Sequence, residues 1–118
     1  MDTHEIQMCV MDCLLDDEVE SLALIMEAIN DEDQMSWRTA RGQMFSVAEV
    51  QIALRALTAI GYVTPCAEEP PTFRLQPIPY DEVGVKVSWE SVWFRLEPKG
   101  RETLTRWWEN DGQRKYPR

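Results

Sequence analysis

The sequence predicts a single α+β domain that is mostly helical. Three observations lead to this class: apolar residues recur at helical spacing near both ends, a helix start signal lies at Ser46, and valines alternate with period two after residue 80. A chain of 118 residues is long enough for one domain and too short for two. Its hydrophobic share of 44% is ordinary for a globular domain with one core.

The first thirty residues predict two helices, at about residues 4–15 and 18–30, or one kinked helix. Apolar residues recur there every three or four positions, as on one helical face: Ile6, Cys9, Val10, Cys13 and Leu14, then Val19, Leu22, Ala23, Met26 and Ile29. Asp17, with Glu20 three residues later, is expected to cap the second helix. The acidic run at residues 30–33 is expected to end it.

The strongest local signal predicts a helix over residues 47–60. Ser46 and Glu49 have the spacing of a capping box, in which each side chain satisfies the other residue's backbone N–H. Phe45 and Val50 flank the box at the positions of a hydrophobic staple, and Gly61 is placed to end the helix. Upstream, residues 36–42 are expected to form a short helix or turn.

The pattern changes to strands after Gly61. Prolines predict a loop over residues 64–71, followed by a short strand over residues 72–76. Val83, Val85, Val87 and Trp89 alternate like a strand, and Val92, Phe94 and Leu96 take the opposite phase. Pro98 is expected to open a terminal helix over residues 98–110, and residues 113–118 to form a loose tail.

Charge is distributed unevenly along the chain. The net charge is −9, yet residues 1–35 hold eleven acids and neither Lys nor Arg, while the rest holds 10 acids and all 12 bases. The acidic third repels polyanions, so a nucleic-acid surface is expected elsewhere. This third is interpreted as a solvated helical face, or as a surface for a basic partner. No apolar run exceeds residues 22–26 and the N-terminus is acidic, so we expect a cytoplasmic protein that does not interact with membranes.

Motifs for catalysis and metal binding are weak in this sequence. Cys9 and Cys13 share a helical face, but His4 lies five residues before Cys9, off that face, so we expect buried thiols and no metal. No Ser or Cys has a base at motif spacing, and no glycine-rich phosphate loop occurs. We therefore expect a protein that is not an enzyme and needs no cofactor.

The order of elements is that of a winged helix-turn-helix: helices, a capped helix ending in glycine, strands and a last helix. The segment Leu54-x-x-Leu57-x-x-x-Gly61-Tyr62-Val63 resembles the recognition helix and first wing strand of MarR- and PadR-type bacterial regulators. Phe94-Arg95-Leu96-Glu97-Pro98-Lys99-Gly100, followed by Leu104, resembles their passage from the wing into the last helix. The resemblance covers about residues 18–110. It implies one winged-helix domain over residues 1–112, with an extra N-terminal helix and a C-terminal helix.

Such regulators are dimers that place the capped helix in the DNA major groove and the wing against the backbone. By position, the resemblance makes helix 47–60 the reader and residues 72–96 the wing, with its outer part at residues 77–91. Gln51 is then expected to pair with adenine, and Arg55 with guanine or phosphate. Other candidate phosphate contacts are Arg38, Arg41, Arg74 and Lys86. The implied function is a dimeric transcriptional regulator that binds double-stranded DNA.

The sequence departs from that family in its charge. A DNA reader normally carries a basic stripe, whereas this reader helix has one Arg, one Glu and no Lys. The alternative is a winged-helix module that binds another protein and not DNA, and five Trp and six Met would suit such an interface. For the homodimer, we expect the contact to form from the first and last helices, through Ile6, Val10, Leu104, Trp107 and Trp108.

Overall fold

The computed structural model describes residues 3–15, 19–31 and 44–112. It is an α+β domain with four α-helices and a four-stranded antiparallel sheet, which confirms the predicted class. The helices are α1 (Thr3–Cys13), α2 (Leu22–Ile29), α3 (Val47–Ala59) and α4 (Pro98–Trp107). The strands are β1 (Val19–Ser21), β2 (Val63–Glu69), β3 (Arg74–Pro77) and β4 (Trp93–Leu96). The predicted turn at residues 36–42 and the tail at 113–118 lie outside the described residues.

Helix α1 belongs to the core of the domain. It packs against α2, α3 and α4, and the side chains it buries are Ile6, Met8, Cys9, Val10, Met11 and Leu14. These share one core cluster with residues from α3, β4 and α4. This is the first of the two predicted N-terminal helices, and its apolar stripe faces the other helices of the same chain.

The second predicted helix begins later than expected, because residues 19–21 form strand β1. Val19 pairs with Arg95 and Ser21 with Trp93, so β1 extends the sheet along β4. The helix cap is Ser21, whose hydroxyl accepts from the backbone N–H of Leu24 at 3.3 Å, and not the predicted Asp17. Helix α2 ends at Asn30, within the predicted acidic run.

Helix α3 has the start and end that its sequence predicts. The Ser46 hydroxyl accepts from the Glu49 N–H at 3.1 Å, and the Glu49 carboxylate accepts from the Ser46 N–H at 2.9 Å. Gly61 adopts a φ of +80°, and its N–H donates to the Thr58 carbonyl. The Asn30 side chain donates to and accepts from the backbone of Phe45, which fixes the start of α3 to the end of α2.

The sheet has the strand order β1-β4-β2-β3, with every pairing antiparallel. The predicted loop over residues 64–71 is corrected, because most of it forms β2 despite Pro65. The carbonyl of Pro65 accepts from the Ile78 N–H at 2.9 Å, so its nitrogen also faces the end of β3. The missing N–H therefore removes no hydrogen bond to β4. Strand β3 confirms the short predicted strand and ends at Pro77.

The alternating valines after residue 80 do not form the predicted strand. Residues 80–82 and 89–91 are 3₁₀ turns, and Val83 and Val87 form one isolated bridge. The backbone N–H groups of Val85, Lys86 and Val87 all donate to the Glu82 carbonyl, so the chain turns back on itself. Val85 points outward, 81% exposed, while Val83 is buried. These valines therefore alternate along the sequence as in a strand, but in the structure they lie on a tight loop.

The terminal helix begins at Pro98, as predicted, and buries Leu104 and Trp107. It follows β4 directly and packs against the start of β2, where the Glu97 N–H donates to the Tyr62 carbonyl at 2.9 Å. A π-helical turn over residues 108–112 continues it. Strand β4 buries Val92, Phe94 and Leu96 in alternation, as their phase predicts.

Candidate interaction surface

One face of α3 is buried and the opposite face is exposed. Val50, Ala53, Leu54 and Leu57 enter the core, so their helical spacing turns the other side outward. Ala48, Ile52, Arg55 and Ala59 recur there every three or four residues, all exposed, with Glu49 beside them. We call this set the α3 face. Ile52 lies at its centre and is 63% exposed.

Exposed apolar side chains concentrate at α3. Among the described residues, seven large hydrophobic side chains are exposed, and four of them lie on α3 or at its ends: Met44, Val47, Ile52 and Ile60. Met44 is 75% exposed and lies two residues before the helix cap. Ile60, the C-terminal cap, is 48% exposed. Single exposed apolar residues are common, and this concentration of them makes α3 the candidate contact surface among the described residues.

The charged residues of the α3 face are Glu49 and Arg55. Hydrogen bonds from Ser46 hold the pKa of the Glu49 carboxyl below its usual range, so it is ionised at neutral pH. Arg55 lies near the Tyr80 hydroxyl, which donates to the Gln51 carbonyl at 3.1 Å. Burial raises the pKa of that hydroxyl, and the charge of Arg55 partly opposes the shift.

The predicted nucleic-acid contacts are only partly brought together. Gln51 is half-buried, and Arg55 is exposed one helical turn further along α3. The loop that carries Tyr80 also carries Lys86, which is exposed. Arg74 is exposed at the turn end of the β2–β3 hairpin, where it pairs in register with Glu69. Arg38 and Arg41 lie outside the described residues.

The predicted wing also differs from its expected form. Its regular part is the β2–β3 hairpin, whose turn contains a cis Pro70–Pro71 bond and Phe73 at a φ of +56°. The outer segment expected at residues 77–91 instead folds back, so that the Tyr80 hydroxyl reaches α3. Trp89 packs there between Tyr80 and Phe94, with ring centroids 6.0 and 5.9 Å away. This aromatic contact fixes the loop against the domain.

The side chains predicted for the dimer contact lie inside one chain. Ile6, Val10, Leu104 and Trp107 are buried in its core, and Trp108 is half-buried against Trp107. In this conformation the first four have almost no surface to offer a second copy. An apolar stripe on a helix can face either the core of its own chain or a second copy, and here it faces the core.

The arginines at the junction of β4 and α4 are largely engaged within the domain. A cleft of about 580 Å³ lies between the end of β4 and α4, lined by Arg95, Arg101 and Arg106 among others. Arg95 donates to Glu97 at 2.9 Å, and Arg106 pairs with Glu102. The Arg95 guanidinium holds the pKa of the Glu97 carboxyl below its usual range. These pairs neutralise most of the positive charge that an anionic ligand would need.

The three cysteines form no disulfide, and they are poorly placed for chemistry. Burial raises the pKa of the Cys13 thiol to about 12 and also raises that of Cys66, which leaves little thiolate at neutral pH. Within residues 3–15, 19–31 and 44–112, no three His, Cys, Asp or Glu side chains are grouped as a metal site would require. None of the helices described here has both the length and the apolar character to cross a bilayer.

Comparison of the chain with protein-family models, with curated proteins and with solved structures finds no match. The α3 face must therefore be interpreted from its own residues. Sequence reasoning selected Gln51 and Arg55 as outward contacts of this helix but missed Met44 and Ile60. These two residues lie just outside α3, and the helical spacing of apolar residues predicts exposure only within the helix.

Proposed function

We propose that this chain is a non-catalytic winged-helix protein whose α3 face binds an amphipathic helix of another polypeptide. The winged-helix assignment is supported by the order of elements: a capped helix, the β2–β3 hairpin, then β4 leading directly into α4. The binding role is supported by one observation above the others: four of the seven exposed large apolar side chains among the described residues lie on α3 or at its ends.

The chemistry of the α3 face suits a helix better than an extended peptide. Ile52 lies at its centre, with the small Ala48 and Ala59 towards the two ends of the helix, which permits close approach of a second helix. An extended peptide would instead need a free sheet edge. The pair of opposite charges at Glu49 and Arg55 would fix the orientation of the bound helix.

Selection from a library of amphipathic helical peptides tests this function. We expect selected peptides to share apolar residues at positions i, i+3, i+4 and i+7, the pattern of a helix bound through one face. Ile52→Asp is expected to weaken their binding by about tenfold or more, because it places a charge at the centre of an apolar contact. Ile52 is exposed, so the fold should be retained.

Val85→Asp is the matched control for that experiment. Val85 is the most exposed of the large hydrophobic residues described, and it lies on the loop and not on α3. The control should bind the peptides as the unchanged protein does. Equal losses in both variants, or no selected peptide at all, would overturn the proposal.

Recognition of duplex DNA by α3 is a second candidate, favoured by the surroundings of Arg55. This side chain is exposed, and the loop whose Tyr80 hydroxyl lies near it also carries the exposed Lys86. With one cation on α3 and the other on this loop, the two side chains could contact phosphates of one DNA strand. The net charge of −9 weighs against it, because phosphate neutralisation dominates the affinity of such readers.

A mixed-sequence duplex, titrated at about 50 mM and then about 200 mM salt, tests this second candidate. DNA binding predicts an affinity that falls about tenfold or more between the two conditions. Arg55→Ala should weaken binding and make the salt dependence shallower, while Arg106→Ala, whose guanidinium is paired with Glu102, should not. Absence of binding at the lower salt, or identical behaviour of the two variants, would argue against DNA.

A further inference from the structure

We propose that the helix bound by the α3 face is α3 of a second copy of this chain, paired antiparallel about a two-fold axis at Ile52. This inference rests on the proposed function and names its partner. A two-fold interface must be complementary to itself, so that each residue meets its own counterpart or a matching residue of the other copy. The central and charged residues of the α3 face, Glu49, Ile52 and Arg55, have this property.

The charges of the α3 face are symmetric about Ile52. Glu49 lies three residues before Ile52 and Arg55 three residues after it, so each is about 4.5 Å along the helix axis from the centre. In an antiparallel pair, Glu49 of one copy therefore lies at the same height as Arg55 of the other. Both ends of the interface would gain one ion pair, and a parallel pair would gain neither.

The neutral residues follow the same symmetry. Ile52 meets its own counterpart at the centre, and Ala48 comes opposite Ala56, a half-buried residue beside the α3 face, each four residues away from the centre. Beyond the helix ends, Met44 and Ile60 lie eight residues before and after the centre, and both are exposed. The alanines keep the helices close enough for the long Arg55 side chain to reach across them.

The capping box leaves Glu49 able to form this pair. Its Oε1 atom accepts from the Ser46 N–H at 2.9 Å, and a carboxylate has a second oxygen. The hydrogen bonds from Ser46 also keep the carboxyl ionised, as its lowered pKa indicates. The helix cap thus holds the acidic partner in place before a second copy arrives.

Charge reversal measured by sedimentation tests the pairing. Over about 1 µM to about 1 mM, we expect the unchanged protein to pass from monomer to dimer. Glu49→Arg and Arg55→Glu should each weaken the dimer about tenfold or more, because each creates two like-charge contacts. An equimolar mixture of the two variants should recover the dimer, since both opposite-charge pairs form between unlike chains. The double variant E49R/R55E should also recover it.

Glu49→Arg also removes the carboxylate half of the capping box, so its effect on folding must be separated from its effect on pairing. The mixture separates the two effects. A misfolded variant would not recover on mixing, whereas a correctly folded one would. Glu68→Arg is the control: Glu68 is exposed near the turn of the β2–β3 hairpin and not on α3, and its reversal should leave the dimer unchanged. A wild-type monomer at all concentrations, a dimer indifferent to Ile52→Asp, or mixed variants that do not recover would each overturn the pairing.

The experiments distinguish failure of the self-pairing from failure of the proposed peptide binding. A chain that stays monomeric but still binds selected peptides through Ile52 overturns the self-pairing alone. A chain that neither dimerises nor binds peptides overturns both. If the chain forms no dimer but binds DNA in a salt-sensitive way that depends on Arg55, the α3 face is a DNA-binding surface instead.

Discussion

A chain shortened to begin at residue 16 is expected to remain unfolded. Five large apolar side chains of α1 are buried in the core: Ile6, Met8, Val10, Met11 and Leu14. Burial of each contributes about 1.5–3 kcal/mol, so their removal forfeits about 8–15 kcal/mol. The whole free energy of unfolding of a domain this size is typically about 5–15 kcal/mol. The helices that remain in the shortened chain would also expose the surfaces that α1 covers.

Circular dichroism and urea denaturation measure this effect. The shortened chain should lose its near-ultraviolet signal and its cooperative transition, whereas the full chain keeps both. Leu14→Ala in the full chain should lower the free energy of unfolding by about 2–5 kcal/mol. Leu24→Ala, at a residue of α2 that is 52% exposed, is the control and should change it little. A cooperative transition in the shortened chain would show that α1 is dispensable.

Gly100→Ala is expected to destabilise the domain, although alanine usually stabilises a helix relative to glycine by about 1 kcal/mol. Gly100 is buried in α4, and a Cβ there would lie 2.5 Å from the Tyr62 carbonyl oxygen and 3.0 Å from a Leu96 methyl. The same carbonyl accepts from the Glu97 N–H, so it cannot move without weakening that bond. We expect a loss of about 1–3 kcal/mol.

Urea midpoints decide the sign of the Gly100 effect. Glu102→Ala, two residues further along α4 and exposed, serves as the control for helix propensity and should change stability by only tenths of a kcal/mol. A Gly100→Ala protein more stable than the unchanged chain would mean that α4 packs less closely on Tyr62 than this structure has it. Gly100→Val should be worse than Gly100→Ala, because its side chain is larger.

The features that sequence reasoning predicted correctly are those set by neighbouring residues. The capping box at Ser46, the glycine end of α3 and Pro98 at the start of α4 depend only on residues within one helical turn. Their hydrogen bonds form wherever the helix forms, whatever it packs against.

The features that it missed depend on distant residues. Strand β1 has only three residues, and it is a strand because β4, more than seventy residues later, supplies its partner. The valines at 83, 85 and 87 alternate in burial, but Gly84 with its φ of +79° lets the chain turn there. The outward residues of α3 were predictable from its inward face, whereas the exposure of Met44 depends on what packs beyond the helix.

The two edges of the sheet bear on how this protein avoids unwanted aggregation. β1, on one side, has three residues, and β3, on the other, has four and ends in a proline that has no N–H to donate. A growing stack of strands needs a long row of unpaired backbone groups as its template. Neither edge supplies one, so this sheet is a poor template for the addition of strands from other copies of the chain.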